Sequence, residues 1–153
     1  MATPLTPAEA EIVNGLDPAL RPVALRHRER ALSLGLPFTF LSGLRSRSQQ
    51  QAEADRTGRT TPAAPAGQSK HEVGGAYDLV RQSAAIETRV GALGEELGLK
   101  WGGRFRDARG NPTPDGNHFE VPVSRSMFSA YRNVTLLSVA AVAGVVLVVA
   151  EGS

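Results

Sequence analysis

The chain of 153 residues contains no cysteine. Disulfides, thiolate metal ligands and a cysteine nucleophile are therefore excluded, and a metal site would have to be built from histidine and carboxylates. Histidine itself is scarce, with three in the chain. Aromatic residues make up 5%, with a single tryptophan, and the basic residues are scattered, so no base-stacking surface for nucleic acid is expected. The N-terminal Met1-Ala2-Thr3-Pro4 opens neither a basic segment nor an apolar run, and no signal peptide is expected. What is present is ordinary for a folded protein: 41% hydrophobic and 21% charged residues, in a length that suits one domain with its own core. A net charge of +2 and a pI near 9.5 favour mild attraction to anionic polymers, acidic cell-wall material among them.

Local signals place the elements. Thr6-Pro7-Ala8-Glu9 reads as a helix start, with a capping hydroxyl, proline in the first turn and an acid three residues after the cap. A second helix begins near Asp17-Pro18 and carries Leu20, Val23, Ala24, His27, Ala31 and Leu34 at helical spacing. His27 on that stripe reads as a packed helix-face histidine rather than a ligand. Residues 38–41 (Phe-Thr-Phe-Leu) suit a buried strand, residues 48–56 a polar helix, and residues 57–68 a loop beside the site. Residues 76–80 suit a second strand. Ser83 caps a helix whose core stripe is Ile86, Val90, Leu93 and Leu97; residues 99–101 and 118–123 suit two more strands. Helices come first, then strands mixed with helices. This order implies an α+β fold with a small, largely antiparallel sheet flanked by helices.

Two clusters carry chemistry. Ser69-Lys70-His71-Glu72-Val73-Gly74-Gly75-Ala76-Tyr77-Asp78 supplies a histidine and a carboxylate, separated by a Gly-Gly bend able to bring both to one ion. Asp115-Gly116-Asn117-His118-Phe119-Glu120 supplies a second histidine with an acid three residues before it. His71, Asp78 and His118 are the candidate ligands of a catalytic Zn2+, which takes three protein ligands and leaves a position for water. Asp115 is the candidate general base, and Glu72 the weaker rival, since in a strand-like segment it would point away from its neighbour His71. Glu120 shares a strand face with His118 and would either orient it or serve the sheet. Trp101 reads as a core residue.

Ser69-x-His71-x-x-Gly74-x-Ala76-x-Asp78 resembles the signature of the zinc D,D- and L,D-peptidases that act on bacterial cell walls, the VanY and endolysin peptidase family. Asp115-x-x-His118-Phe119-Glu120 resembles that family's second element. The resemblance implies a VanY-type fold, with His71, Asp78 and His118 binding zinc and Asp115 as catalytic base. Trp101-Gly102-Gly103 is similar to the segment preceding the second element in endolysins that cut L-alanyl-D-glutamate bonds. Ser42-Gly43-Leu44-Arg45-Ser46 resembles the family's Ser-Gly-Tyr-Arg-Ser stretch, which implies that Arg45 meets a substrate carboxylate at the cleft. Ser69 reads either as a substrate-side hydrogen-bonding residue, as the signature implies, or as a turn residue. Two departures stand out: Leu44 replaces the tyrosine, and Arg104-Phe105 follows the Gly pair where an acid and often tryptophan would be expected.

The tail differs in kind. Residues 134–150 are seventeen residues without a charge, at the lower limit for a spanning helix. The expected organisation is a peptidase domain over residues 1–132 and a hydrophobic C-terminal helix over 133–153, which would contact a membrane or be buried in an assembly such as a virion. The expected function is a zinc-dependent peptidoglycan peptidase cutting the L-alanyl-D-glutamate bond of the stem peptide. A D-alanyl-D-alanine carboxypeptidase is the alternative with the same chemistry, and a non-catalytic, zinc-stabilised component of a phage particle the alternative of another class. A phage-encoded product delivered to the cell wall would reconcile such a substrate with the missing export signal.

Overall fold

A computed structural model describes residues 3–58 and 63–131 of the chain. The first helix, α1 (Pro7–Gly15), starts at a capping box in which Thr6 Oγ1 accepts from the Glu9 N–H and the Glu9 carboxylate accepts from the Thr6 N–H. Glu9 is itself buried, and its other oxygen accepts from the Phe40 N–H at 3.3 Å, tying α1 to the first strand. Helix α2 (Arg21–Ser33) follows a turn in which Asp17 Oδ1 accepts from the Ala19 N–H. The expected stripe holds at Leu20, Ala24, His27 and Ala31, all buried. It fails at Leu34, which lies just past the last helical turn and is exposed.

Strand β1 is Phe40–Ser42, shifted toward the C-terminus from the expected 38–41, although Thr39 already accepts from the Val80 N–H. Helix α3 (Arg47–Ala54) starts at a Ser46 capping box. Then come β2 (Ala76–Leu79), α4 (Ala84–Glu96) capped by Ser83, β3 (Lys100–Trp101), β4 (His118–Glu120) and α5 (Arg125–Tyr131). Strand β4 stops short of the expected Val123: Val121 N–H still donates in register to Gly75 O, but Pro122 has no N–H to continue the ladder. The sheet has the order β1-β2-β4-β3 with every neighbouring pair antiparallel, as the α+β reading expected. The run 134–150 and the C-terminal helix expected there lie outside the described residues. Among the described residues no helix is long and apolar enough to cross a membrane.

The core lies on one face of this sheet, under α2 and α4. Tyr77 and Phe119 stand opposite each other in the β2–β4 ladder and stack with ring centroids 5.5 Å apart. His27 is fully enclosed among Phe38, Phe119 and Tyr77. Its Nε2–H donates to Val90 O at 2.9 Å, since a carbonyl can only accept; Nδ1 then accepts from the Tyr77 hydroxyl at 2.8 Å. The helix-face histidine is thus a core residue joining α2, β2 and α4. Burial pushes its pKa down to about 4, against a smaller opposing effect of the bond to Val90.

That depression sets an acid limit on stability. The unfolded histidine takes a proton below its ordinary value while the folded one resists until about pH 4, so stability is lost as pH falls through this window, by about 3 kcal/mol in full. Urea midpoints measured from pH 7 to pH 4 should fall more steeply for the natural chain than for His27→Phe. Parallel curves for the two would show that His27 is not the group responsible.

Candidate metal centre and its cavity

The 3₁₀ turn Lys70–Val73 presents His71. Ser69 caps it, its hydroxyl accepting from the His71 N–H at 3.2 Å, and Glu72 folds back so that its carboxylate accepts from the Ser69 and Gly67 N–H groups. The turn closes on Gly74, whose φ of +69° lies in the left-handed region and whose Cβ position falls 2.7 Å from Asp17 N. Glycine is therefore required there on both counts. Glu72 does not lie in a strand-like segment, as the sequence reading supposed. The helical turn points it at backbone donors, and that capping role takes it out of contention as the base. Ser69 is buried, with its hydroxyl directed into the turn. It caps the turn and is not among the residues lining the cavity beside Asp78.

Strands β2 and β4 bring the other two candidates together. Asp78 and His118 are direct partners in the ladder, and both are buried. One atom from each of His71, Asp78 and His118 converges on a single point. His71 Nε2 lies 3.3 Å from His118 Nδ1 and 3.4 Å from Asp78 Oδ1, and His118 Nδ1 lies 2.9 Å from Asp78 Oδ1. The outward atoms of all three are held from behind. His71 Nδ1–H donates to Gly43 O at 2.7 Å, and His118 Nε2–H donates to Glu120 Oε2 at 3.3 Å. Asp78 Oδ2 accepts from the Ser42 hydroxyl at 2.7 Å and from the Arg45 guanidinium.

These partners settle the protons. Because Gly43 O and Glu120 are acceptors, each neutral imidazole keeps its hydrogen on the outer nitrogen and turns a lone pair inward. Two nitrogen lone pairs and a carboxylate oxygen then face one another, an arrangement that requires a cation. Tetrahedral zinc with ligand bonds of about 2.0–2.1 Å sets its donor atoms roughly 3.3–3.4 Å apart, close to two of the three separations here. The donor set, its spacing and the outer-atom partners therefore fit zinc. Without it a proton serves: burial opposes the charge, but the bonds to Asp78 and Glu120 push His118 up to about 9. Glu120 is lowered to about 2, since its bonds to His118 and Lys70 outweigh the cost of its burial. Its Oε1 also takes the Lys70 ammonium at 3.0 Å. Glu120 thus orients His118, one of the two roles the sequence allowed it.

Asp115 stands in the loop before β4, where its carbonyl accepts from the His118 N–H at 3.0 Å and its own N–H donates to Gly102 O at 2.9 Å. A Cβ on Gly102 would meet Asp115 O at 2.4 Å, so the glycine at this position is what lets the loop close on the strand. Asp115 lines a cavity of about 660 Å³ together with Asp78, Ser42, Arg45, Arg81 and Asn117. Thr57 and Gly58, from the loop expected beside the site, lie on the same wall. Trp101 is a core residue, donating through Nε1 to Gly116 O at 2.8 Å.

Arg45 also borders the cavity, but its guanidinium is directed at Asp78, Ser42 and Gln50. The sequence missed two residues of the site. Gly43 contributes only its carbonyl, which no side-chain pattern reveals. Arg81 pairs with Asp115 at 2.5 Å from 34 positions away, and no local signal marks it.

No protein-family model matches the sequence. No curated protein matches it either. Solved structures do match, through the fold. The Serratia marcescens L-Ala D-Glu endopeptidase ChiX superposes with a TM-score of 0.60 at 21% identity, covering 84% of this chain and 92% of that one. VanYB in complex with D-alanine-D-alanine gives 0.54 at 18% identity, covering 76% of each chain. The D,D-pentapeptidase VanY E175A variant in complex with Zn(II) gives 0.54 at 17% identity, covering 76% of this chain and 78% of that one. The chain has the fold that these VanY-type peptidases share, as its two sequence clusters implied.

The proton and the metal compete for one position. Zinc uptake at pH 7 should release the His118 proton, and the apparent affinity should rise by about tenfold per pH unit up to roughly pH 9. Calorimetry in buffers of different ionisation enthalpy reads that proton directly. Glu120→Gln should weaken zinc binding by roughly ten- to hundredfold in competition with a chelating dye; unchanged affinity would deny it the orienting role.

Proposed function

We propose that this protein is a zinc-dependent peptidoglycan peptidase that cuts the stem peptide at the L-alanyl-D-glutamate bond. The observation that carries the reading is the convergence of His71, Asp78 and His118, of which Asp78 lines one open cavity together with an acid, Asp115. The fold shared with an L-Ala D-Glu endopeptidase over most of both chains supports this choice of bond.

His71, Asp78 and His118 would hold the zinc. Bound there, zinc supplies Lewis acidity, which acidifies water and polarises a peptide carbonyl. The rest is done by the chain's own residues. Gly43, Ser42, Arg45 and Glu120 fix the ligand atoms in place, so that binding needs little rearrangement. Asp115 takes the proton from the attacking water and delivers it to the departing amine, a two-way task suited to a carboxylate at the cavity surface. Its backbone contact with the His118 N–H keeps it in register with the metal ligand. Leu41 lines the cavity and leaves apolar surface exposed there, and in place of the family's tyrosine Leu44 offers only an apolar side chain.

The test is digestion of purified peptidoglycan by the zinc-loaded full chain, with fragments identified by mass spectrometry. New amino-terminal D-glutamate ends are expected. Asp115→Ala should lower kcat by roughly a hundred- to ten-thousandfold while zinc content stays at one per chain. Release of terminal D-alanine alone would move the reading to a carboxypeptidase. No cleavage by folded, zinc-loaded protein across several wall types would overturn it in favour of a structural role.

A further inference from the structure

Arg81 stands on the cavity wall in contact with Asp115. It follows β2 by two positions, lines the same wall as Asp78 and Asp115, and is 55% exposed at its side chain. Its Nη2–H donates to Asp115 Oδ1 at 2.5 Å, while Nη1 stands 3.7 Å from Glu87 Oε2, too far for a hydrogen bond. Among the described residues Asp115 is the one acceptor within hydrogen-bond distance of this guanidinium. Among the described residues no other hydrogen bond takes up its five N–H donors, and the side chain lines the cavity.

The other arginines of the wall are placed differently. Arg45 is committed to Asp78, Ser42 and Gln50, with its side chain 18% exposed. Arg56 stands at the end of α3 and is paired with Glu53 at 3.7 Å. Arg81 is the cation that touches the proposed base.

We infer that Arg81 selects substrates carrying a free carboxylate on the carbon that bears the scissile nitrogen. The inference rests on the peptidase reading and follows from where Asp115 must work. To hand a proton to the leaving amine, Asp115 must come within hydrogen-bond reach of its nitrogen. In a cell-wall stem the D-glutamate continues the chain through its γ-carboxyl, so its α-carboxylate stays free, two covalent bonds from that nitrogen. Its oxygens then fall within about 6 Å of the Asp115 carboxyl. Two carboxylates that close repel unless a cation is shared between them. Arg81 already holds one of them and has donors in a planar fork suited to the second. A terminal D-alanine presents the same carboxylate in the same relation to its nitrogen, so the chemistry is common to both scissile bonds.

The test uses the zinc-loaded full chain and two pairs of synthetic stem peptides. One pair carries D-glutamate with its α-carboxyl free or amidated. The other ends in D-alanyl-D-alanine with its terminus free or amidated. The pair that is cleaved identifies the source of the carboxylate. On that pair the natural chain should prefer the acid by roughly ten- to hundredfold in kcat/KM. Arg81→Gln should bring the ratio to about one, and Arg81→Lys should keep part of it, as a cation without the fork. Arg56→Gln should leave the ratio unchanged. Loss of a partner for Asp115 slows acid and amide alike, so the ratio isolates recognition of the carboxylate from any effect on the base. Cleavage of acid and amide at equal rates, or a preference that survives Arg81→Gln, would overturn the inference and leave the peptidase reading standing. Cleavage of neither pair by the natural chain would overturn both.

Discussion

The pairing of β2 with β4 is the constraint on which the site depends. It sets Asp78 directly opposite His118 and, one step along, Tyr77 opposite Phe119. Side chains alternate across a sheet, so the aromatic pair turns into the core and the polar pair turns to the other face. A slip of one residue would push Tyr77 and Phe119 out of a core in which both are fully buried, and would bury a carboxylate and an imidazole in their place. The packing of His27, Phe38 and Phe40 around those rings therefore holds the metal centre in register from the far side of the sheet.

Charge in the site is matched rather than merely present. Asp78 is buried with Arg45, and Glu120 with Lys70, whose ammonium also reaches Val121 O at 2.7 Å. Each pair neutralises a carboxylate that would be costly to bury alone. The result is that only inward lone pairs remain unmatched, at the one point where His71, Asp78 and His118 meet. A cation completes the cluster, and the supporting groups are in place before it arrives. Asp115 and Arg81 are organised differently. Both lie on the wall of the open cavity.

Much of this was legible in the sequence because it is locally encoded. The Thr6 and Ser83 caps announce their helices within four residues. The alternation through His118 and Phe119 announces a strand, and a histidine followed by Gly-Gly and an aspartate announces a turn that folds two ligands together. The offset of three residues between Asp115 and His118 places an acid beside a ligand in any loop-to-strand geometry. Local reading failed where a residue answers to a distant one. Arg81 is such a case, paired with Asp115 from 34 positions away. Glu72 became a cap for a local reason, its segment winding into a 3₁₀ turn. His27, read as packed, owes its enclosure to Tyr77 and Val90.

What the sequence by itself determined was the menu: no thiolates, two ligand-bearing clusters, a candidate base with a weaker rival, and helices and strands in an order that makes a small antiparallel sheet. What only the tertiary structure decided was the use of each side chain. Arg45, expected to meet substrate, lines the cavity with its guanidinium on Asp78, while Arg81, which no motif marks, lies against Asp115. These partners are separated by 33 and 34 positions. Propensity and spacing act over a few residues, whereas such contacts exist only once strand register and loop closure have brought the two stretches together.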